Sequence, residues 1–362
     1  MPIKWTKKLI AAENFESAGV FDVDGDGVLD IVSGGFWYQG PDFKTKHIIG
    51  TVARIADYYD DFSTIPLDVN GDGRPDFVSG GWWGETLRWH ENPGPPYRDW
   101  PTHAIARTGS IETTRAWDVD GDGRLEIVPN TPSGPLIVYK LKTDAEGRGT
   151  GEFAAHTLRA QPQGHGLGWG DVSGGGRGDI VLGQGWQECP ADPLGGEWVW
   201  HPEFDLGGDA SIPILVADVN GDGRSDLIVG GSHSYGLSWW EQGQDAQGQR
   251  TWAKHPIDPF NSEYHDLQWA DIDGDGEYEL VTGKRYQAHP NDGDPGGWDD
   301  IGIYYFKWNG ESFSKQVISY GPLGAGAGCG IHFVLADLRG TGRLDLVAPG
   351  KDGLHVFYNE GS

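Results

Sequence analysis

Asp22-Val23-Asp24-Gly25-Asp26-Gly27-Val28-Leu29-Asp30 decides how this chain is read, because the chain says it seven times. The later copies start at Asp68, Asp118, Asp171, Asp218, Asp271 and Asp337. A unit recurring every few tens of residues predicts a propeller or a solenoid rather than a string of unrelated domains. The flanks repeat too. An apolar segment leads into each acidic loop, as in Ala18-Gly19-Val20-Phe21, and Ile31-Val32-Ser33-Gly34 or its equivalent follows. A third run is aromatic, as in Leu87-Arg88-Trp89-His90, and a fourth has the form seen from Trp252 to Ile257. Short β-rich runs bounded by glycine read as strands.

Four antiparallel strands in each of seven repeats predict an all-β chain, with residues 1–362 forming a single seven-bladed β-propeller. After the seventh loop only two further strands remain. The missing outer strand stands at the other end, as Trp5-Thr6-Lys7-Lys8-Leu9-Ile10, so the N-terminal strand is expected to join the last blade and close the ring. Blade four has no clear outer-strand match between Pro202 and Pro213.

Asp or Asn at loop positions 1, 3 and 5, glycine at 4 and 6, and an acid at 9 suit a hard cation with several oxygen ligands. The predicted Ca2+ ligands are Asp22, Asp24, Asp26 and Asp30; Asp68, Asn70, Asp72 and Asp76; Asp118, Asp120, Asp122 and Glu126; Asp218, Asn220, Asp222 and Asp226; and Asp271, Asp273, Asp275 and Glu279. The copy at Asp171 carries Ser173 and Gly175 and has lost two ligands, and in the copy at Asp337 Arg339 is expected to replace the ion with its own charge. About five structural Ca2+ sites are therefore expected. The loops lack the flanking helices and the position-12 Glu of an EF-hand, which favours pinning over sensing.

The motif Asp-x-Asp-Gly-Asp-Gly-x-x-Asp followed by apolar-Val-x-Gly-Gly resembles the FG-GAP/VCBS propeller repeat, also found in integrin α-subunit heads. The resemblance implies that each loop joins the innermost strand to the second on one face. The start of the innermost strand and the end of the second then lie on the opposite face. Residues five or six places before each loop should ring the mouth of the central channel there: Glu16, Phe62, Glu112, His165, Ile212, His265 and His332. Three histidines and two glutamates at matching heights are more than a structural ring needs, and a further divalent metal at the histidines is a possible companion. His47, His103, His156 and His255 share an outer-strand slot and are expected to be structural.

The same face should collect Phe36-Trp37-Tyr38, Trp82 to Glu85, Gln184-Gly185-Trp186, Ser232 to Tyr235 and Lys284-Arg285-Tyr286, with insertions at Glu188–Glu197 and Gln287–Asp300. Aromatic faces beside charged groups suit a sugar. Candidate catalytic residues are His165, His265, His332, Tyr58, Tyr59 and Arg115. Candidate substrate-binding residues are Glu16, Glu112, Trp83, Trp186, His233, Tyr235, Arg285, Tyr286 and His289.

A Tyr or His base, an Arg or metal facing an enolate-like intermediate, and an acid on the leaving oxygen compose a β-elimination. The expected function is a carbohydrate lyase acting at a uronic-acid or keto-sugar residue of an oligo- or polysaccharide. The alternatives are a non-catalytic glycan- or protein-binding propeller and a glycoside hydrolase using Glu16 and Glu112. On this face the chain is similar to propeller carbohydrate lyases, namely the rhamnose-glucuronate lyases acting on gum arabic and the propeller half of aldos-2-ulose (anhydrofructose) dehydratases.

The formal charge of −27 argues against nucleic-acid and anionic-membrane partners. Much of the acidity lies in the loops. The two cysteines, Cys189 and Cys329, form no CxxC pair. Met1–Ile10 lacks the apolar core of a signal peptide, so a cytoplasmic monomer is expected unless the chain was trimmed from a secreted precursor.

Overall fold

The computed structural model describes residues 2–289 and 293–362, and no α-helix occurs among them. Among the described residues no helix is long and apolar enough to cross a membrane. The strands form five separate four-stranded antiparallel sheets, one eight-stranded sheet made of two such units, and a small hairpin, Arg54–Ile55 with Tyr58–Tyr59. Seven four-stranded units therefore follow the seven acidic loops. The N-terminal strand Trp5–Ala11 pairs antiparallel with Leu354–Asn359, with Trp5 opposite Asn359, and completes the unit that begins at Val334–Ala336.

Adjacent units share apolar cores. Ile65, Val78 and Leu87 of the second pack against Ile111, Ile127 and Tyr139 of the third. Each fully buried aliphatic side chain of this kind contributes roughly 1.5–3 kcal/mol. Side-chain amides lock neighbouring units: Asn92 Nδ2 donates to Val23 O (2.8 Å) and Asn359 Nδ2 donates to Ile272 O (2.7 Å). The eight-stranded sheet arises where Leu167–Gly170 runs parallel to Ile214–Ala217. Glycine permits that approach, since a Cβ on Gly168 would lie 2.3 Å from Ile214 O.

Two expected element assignments are corrected. In units one and four the second and third strands are joined by tight hairpins, so Phe36–Gln39 and Gly185–Glu188 are third strands rather than loops on the face. In unit four Val199–His201 is the fourth strand, so the outer strand lies before Pro202 and nothing further is needed between Pro202 and Pro213. The outer-strand histidines stack on the third strand's buried tryptophan: His47 on Trp37 at 4.0 Å, His103 on Trp89 at 4.3 Å, His255 on Trp239 at 4.6 Å. His156 instead bonds Leu194 O through Nδ1 (3.2 Å). Cys189 and Cys329 are free and buried.

Candidate active site

Glu16, Glu112, His165 and His265, each six residues before the first Asp of its loop, converge at one place. Arg285, at the end of Glu279–Lys284, is what they converge on. Its Nε donates to Glu16 Oε1 (2.9 Å) and its Nη1 donates to Glu112 Oε1 (3.3 Å), with Phe62 under the guanidinium at 5.4 Å. His265 Nε2 lies 3.1 Å from Glu112 Oε1, and His165 Nε2 lies 3.7 Å from the same oxygen. His233, in the turn between Asp226–Gly230 and Tyr235–Gln244, completes the group, with Nε2 3.3 Å from His165 Nε2.

The electrostatics follow from burial and pairing. Burial pushes Glu112 upward, but hydrogen bonds from His165 and His265 outweigh it and hold the carboxyl well below its usual range. Burial drives His265 well below the usual histidine value and also lowers His233. At His165 burial acts downward, yet the bond to Glu112 wins and the value is raised.

His289 and Asp294, from the insertion, lie against this cluster. Asp294 accepts from Nδ1 of both His233 (3.1 Å) and His289 (3.0 Å), and the two rings stack at 4.4 Å. The insertion is anchored from below. Lys284 Nζ bonds Ser262 Oγ and Glu263, and Glu263 Oε1 accepts from Ala288 N (3.1 Å). Glu263 holds this position at a φ of 60°, a left-handed conformation a side-chain-bearing residue adopts only under constraint. Tyr58 donates its hydroxyl to Ala288 O, beside His289, and its ring meets Lys351 Nζ at 3.9 Å and Trp83 at 5.0 Å. Burial raises the Tyr58 phenol to about 12, so it is protonated at neutral pH. Asp60 holds the Trp83 turn by accepting from Trp83 N (2.9 Å) and Gly84 N (2.8 Å).

Other expected residues lie elsewhere. His332 stands five rather than six places before its loop, and Ile331 takes the equivalent position. His332 bonds Ala18 O through Nδ1 (3.1 Å) and lines, with Arg115, Trp117 and Gln268, a separate cavity of about 280 Å³. Arg115 is committed to Asp266 (2.9 Å) in that deeper layer. Tyr59 packs on Phe15 at 4.4 Å. Trp186 is 1% exposed, stacked on His201 at 4.1 Å with its Nε1 on Glu203, so it offers no face to a ligand; the short hairpin drew it into the sheet. Tyr235 is exposed and donates to Asp299, at the far side of the insertion. Tyr286 accepts from Gln287 Nε2 (3.2 Å) and does not join the cluster's bonds. Asp294, Glu263 and Lys351 were not anticipated. Lys351 follows the second strand of its unit, the same kind of position that yielded Trp83 and His233, so a signal for it existed.

A family model of the FG-GAP-like repeat matches residues 68–128 and 218–282. The likeness to FG-GAP-like repeats covers these two stretches, which span parts of the second and third and of the fifth and sixth four-stranded units. No curated protein sequence matches it. Among solved structures, the exotype rhamnogalacturonan lyase YesX aligns over 99% of this chain and 73% of its own, with a TM-score of 0.53 and 14% identity. The rhamnogalacturonan lyase PL11 of Bacillus licheniformis aligns over 99% and 73%, with a TM-score of 0.52 and 15% identity. BBS1N, solved in complex with ARL6DN, aligns over 98% and 95%, with a TM-score of 0.53 and 11% identity. At such identities the likeness is one of fold.

Proposed function

We propose that this chain is a single seven-bladed propeller, closed by Trp5–Ala11, that acts as a carbohydrate lyase on a uronate-containing oligo- or polysaccharide. The observation that carries the reaction is the pairing of an oriented histidine with a protonated tyrosine beside one exposed aromatic face. His289 turns Nδ1 to Asp294, which leaves Nε2 free, and its side chain is 53% exposed. Tyr58, protonated, lies against the neighbouring residue Ala288, and Trp83 offers a ring on which a sugar can stack. The fold likeness to two rhamnogalacturonan lyases supports the same class.

In this mechanism His289 Nε2 takes the proton from the carbon beside the substrate carboxylate. The electron pair moves into an enolate-like carboxylate, which Lys351 faces with positive charge. The carbon–oxygen bond to the leaving sugar breaks as the pair returns to form the double bond, and Tyr58 gives its proton to the departing oxygen. The products are an unsaturated uronate and a new hydroxyl end, with no water consumed. Hydrolysis by Glu16 and Glu112 is disfavoured, because both bind Arg285 and Glu112 is held ionised, so it has no proton to give. The second reading, a non-catalytic glycan- or protein-binding propeller, draws on the likeness to BBS1N over 95% of that chain. Incubation with a panel of uronate oligosaccharides separates them. Ultraviolet absorbance from a conjugated unsaturated uronate is expected, and binding with no such product across the panel sinks the lyase reading.

Structural Ca2+ in the acidic loops belongs to the same proposal, with differences among loops. Asp22, Asp24 and Asp30 offer oxygens within 4.8 Å of one another and, among the described residues, pair with no basic side chain, which fits a hard cation. In the third and sixth loops a lysine lies among the acids instead: Lys140 on Asp120, Asp122 and Glu126, and Lys307 on Asp273, Asp275 and Glu279. In the second and fifth, Arg74 and Arg224 bind only the position-5 acids Asp72 and Asp222. Arg339 bonds both oxygens of Asp345 in the seventh, as expected of an ion substitute. Lys140→Ala is expected to raise the Ca2+ count by one in a calorimetric titration, and Asp22→Ala to lower it by one. A count that Lys140→Ala leaves unchanged means that the lysine does not substitute for the ion.

A further inference from the structure

We propose that Glu112, His165, His233 and His265 bind one divalent transition-metal ion, at a site chemically distinct from the acidic loops. The four ligand atoms lie within 4.8 Å of one another. A tetrahedral ion with ligand bonds of about 2.0–2.2 Å requires ligand-to-ligand edges of roughly 3.3–3.6 Å. The observed separations are 3.1 Å for His265 Nε2 to Glu112 Oε1, 3.3 Å for His165 Nε2 to His233 Nε2 and 3.7 Å for His165 Nε2 to Glu112 Oε1.

The hydrogen bonds on the far side of the rings supply a second, independent argument. His165 Nδ1 is 2.7 Å from Ala210 O, and a carbonyl can only accept, so that nitrogen carries the proton. His233 Nδ1 is 3.1 Å from the Asp294 carboxylate, which likewise accepts. In the neutral rings both Nε2 atoms are then bare lone pairs facing each other at 3.3 Å. Such a contact persists only with a cation between them. Fixing one ring nitrogen by a carbonyl or carboxylate so that the other faces the ion is how metal-binding histidines are oriented.

The donor set also names the metal class. Three imidazoles and one carboxylate suit Zn2+, Mn2+, Fe2+ or Ni2+, whereas the all-oxygen acidic loops suit Ca2+. Arg285 Nη1 lies 3.3 Å from the same Glu112 oxygen and complements its negative charge. Whether the ion faces a substrate carboxylate rests on the lyase reading; its presence does not.

The alternative cation is a proton held between the rings, and metal analysis decides. The full chain is stripped with a chelator, dialysed against Zn2+ with Ca2+ in excess, and assayed by mass spectrometry of the elements. One Zn2+ per chain is expected for the parent and for Asp22→Ala, and none for His233→Ala, whose residue sits in a turn outside the core. Asp294→Asn is expected to weaken Zn2+ by about 10–100-fold. Substitution with Co2+ should give the visible bands of a four-coordinate site, absent in His233→Ala. No stoichiometric Zn2+ in the parent, or undiminished Zn2+ in His233→Ala, overturns the site. A chain that holds the ion but cleaves no uronate keeps this inference and removes the lyase. Full cleavage by metal-free protein, with no Zn2+ taken up, does the reverse.

Discussion

Replacing His289 by Ala is expected to lower kcat on a uronate oligosaccharide by about 10²–10⁴-fold, the usual weight of a positioned general base. The melting temperature should stay within experimental error of the parent, because among the described residues the ring's polar contact is Asp294 alone and its side chain is largely exposed. His103→Ala is the control. Its ring is also exposed, but it stacks on Trp89 and bonds Glu91 in an outer strand, so kcat should not move. Tyr58→Phe should cost a similar factor on substrates with poor leaving groups and less on activated ones, since only the former need the departing oxygen protonated. Asp294→Asn tests positioning rather than proton transfer, and should lower kcat while leaving KM nearly unchanged. Equal losses in His289→Ala and His103→Ala would mean that the assay reports folding, and the base assignment would fall.

Part of the site was legible in the sequence, because the acidic loop works as a ruler. Counting back six places finds Glu16, Glu112, His165 and His265, which do converge. The same count taken loosely, at five or six, also admits His332, which is one residue out of register. In extended chain one residue is a change of side. His332, like Arg115 and Asp266, stands an odd number of places before its loop, and these three belong to the deeper layer.

What the ruler could not reach has equally physical causes. Asp294 lies in an insertion with no counterpart in the other repeats, so no register relates it to the axis. Trp186 and Trp37 were read as ligand platforms because aromatic residues after a second strand can line a face. Two tight hairpins turn those residues into third strands, where each tryptophan is buried under an outer-strand histidine. Lys140 and Lys307 come from third strands and reach acids some twenty to thirty residues distant, a pairing invisible until sheet register aligns them.

The deeper layer carries the largest expected effect on stability. Asp266→Ala should destabilise the fold by about 3–5 kcal/mol, the cost of leaving one partner of a buried ion pair alone. Asp266 is 1% exposed, accepts from Arg115 (2.9 Å) and caps Phe333 N (2.9 Å). Without it the Arg115 guanidinium keeps its charge at any accessible pH, with only carbonyls such as Ile331 O (3.4 Å) as partners. The reverse change is not its mirror image. Burial already raises the Asp266 carboxyl to about 6 even against the pull of Arg115. In Arg115→Met that carboxyl can escape by taking up a proton, so its penalty should be small below about pH 6 and grow as the pH rises. The sign follows from linkage. The folded variant binds a proton that the unfolded chain, with its aspartate near 3.9, has released, so stability falls with rising pH across that window. Asp266→Ala should show no such slope from this site. Urea titrations of both variants at several pH values test the pair; equal, pH-independent losses would mean that Asp266 is ionised throughout and that its burial matters less than its bond to Arg115.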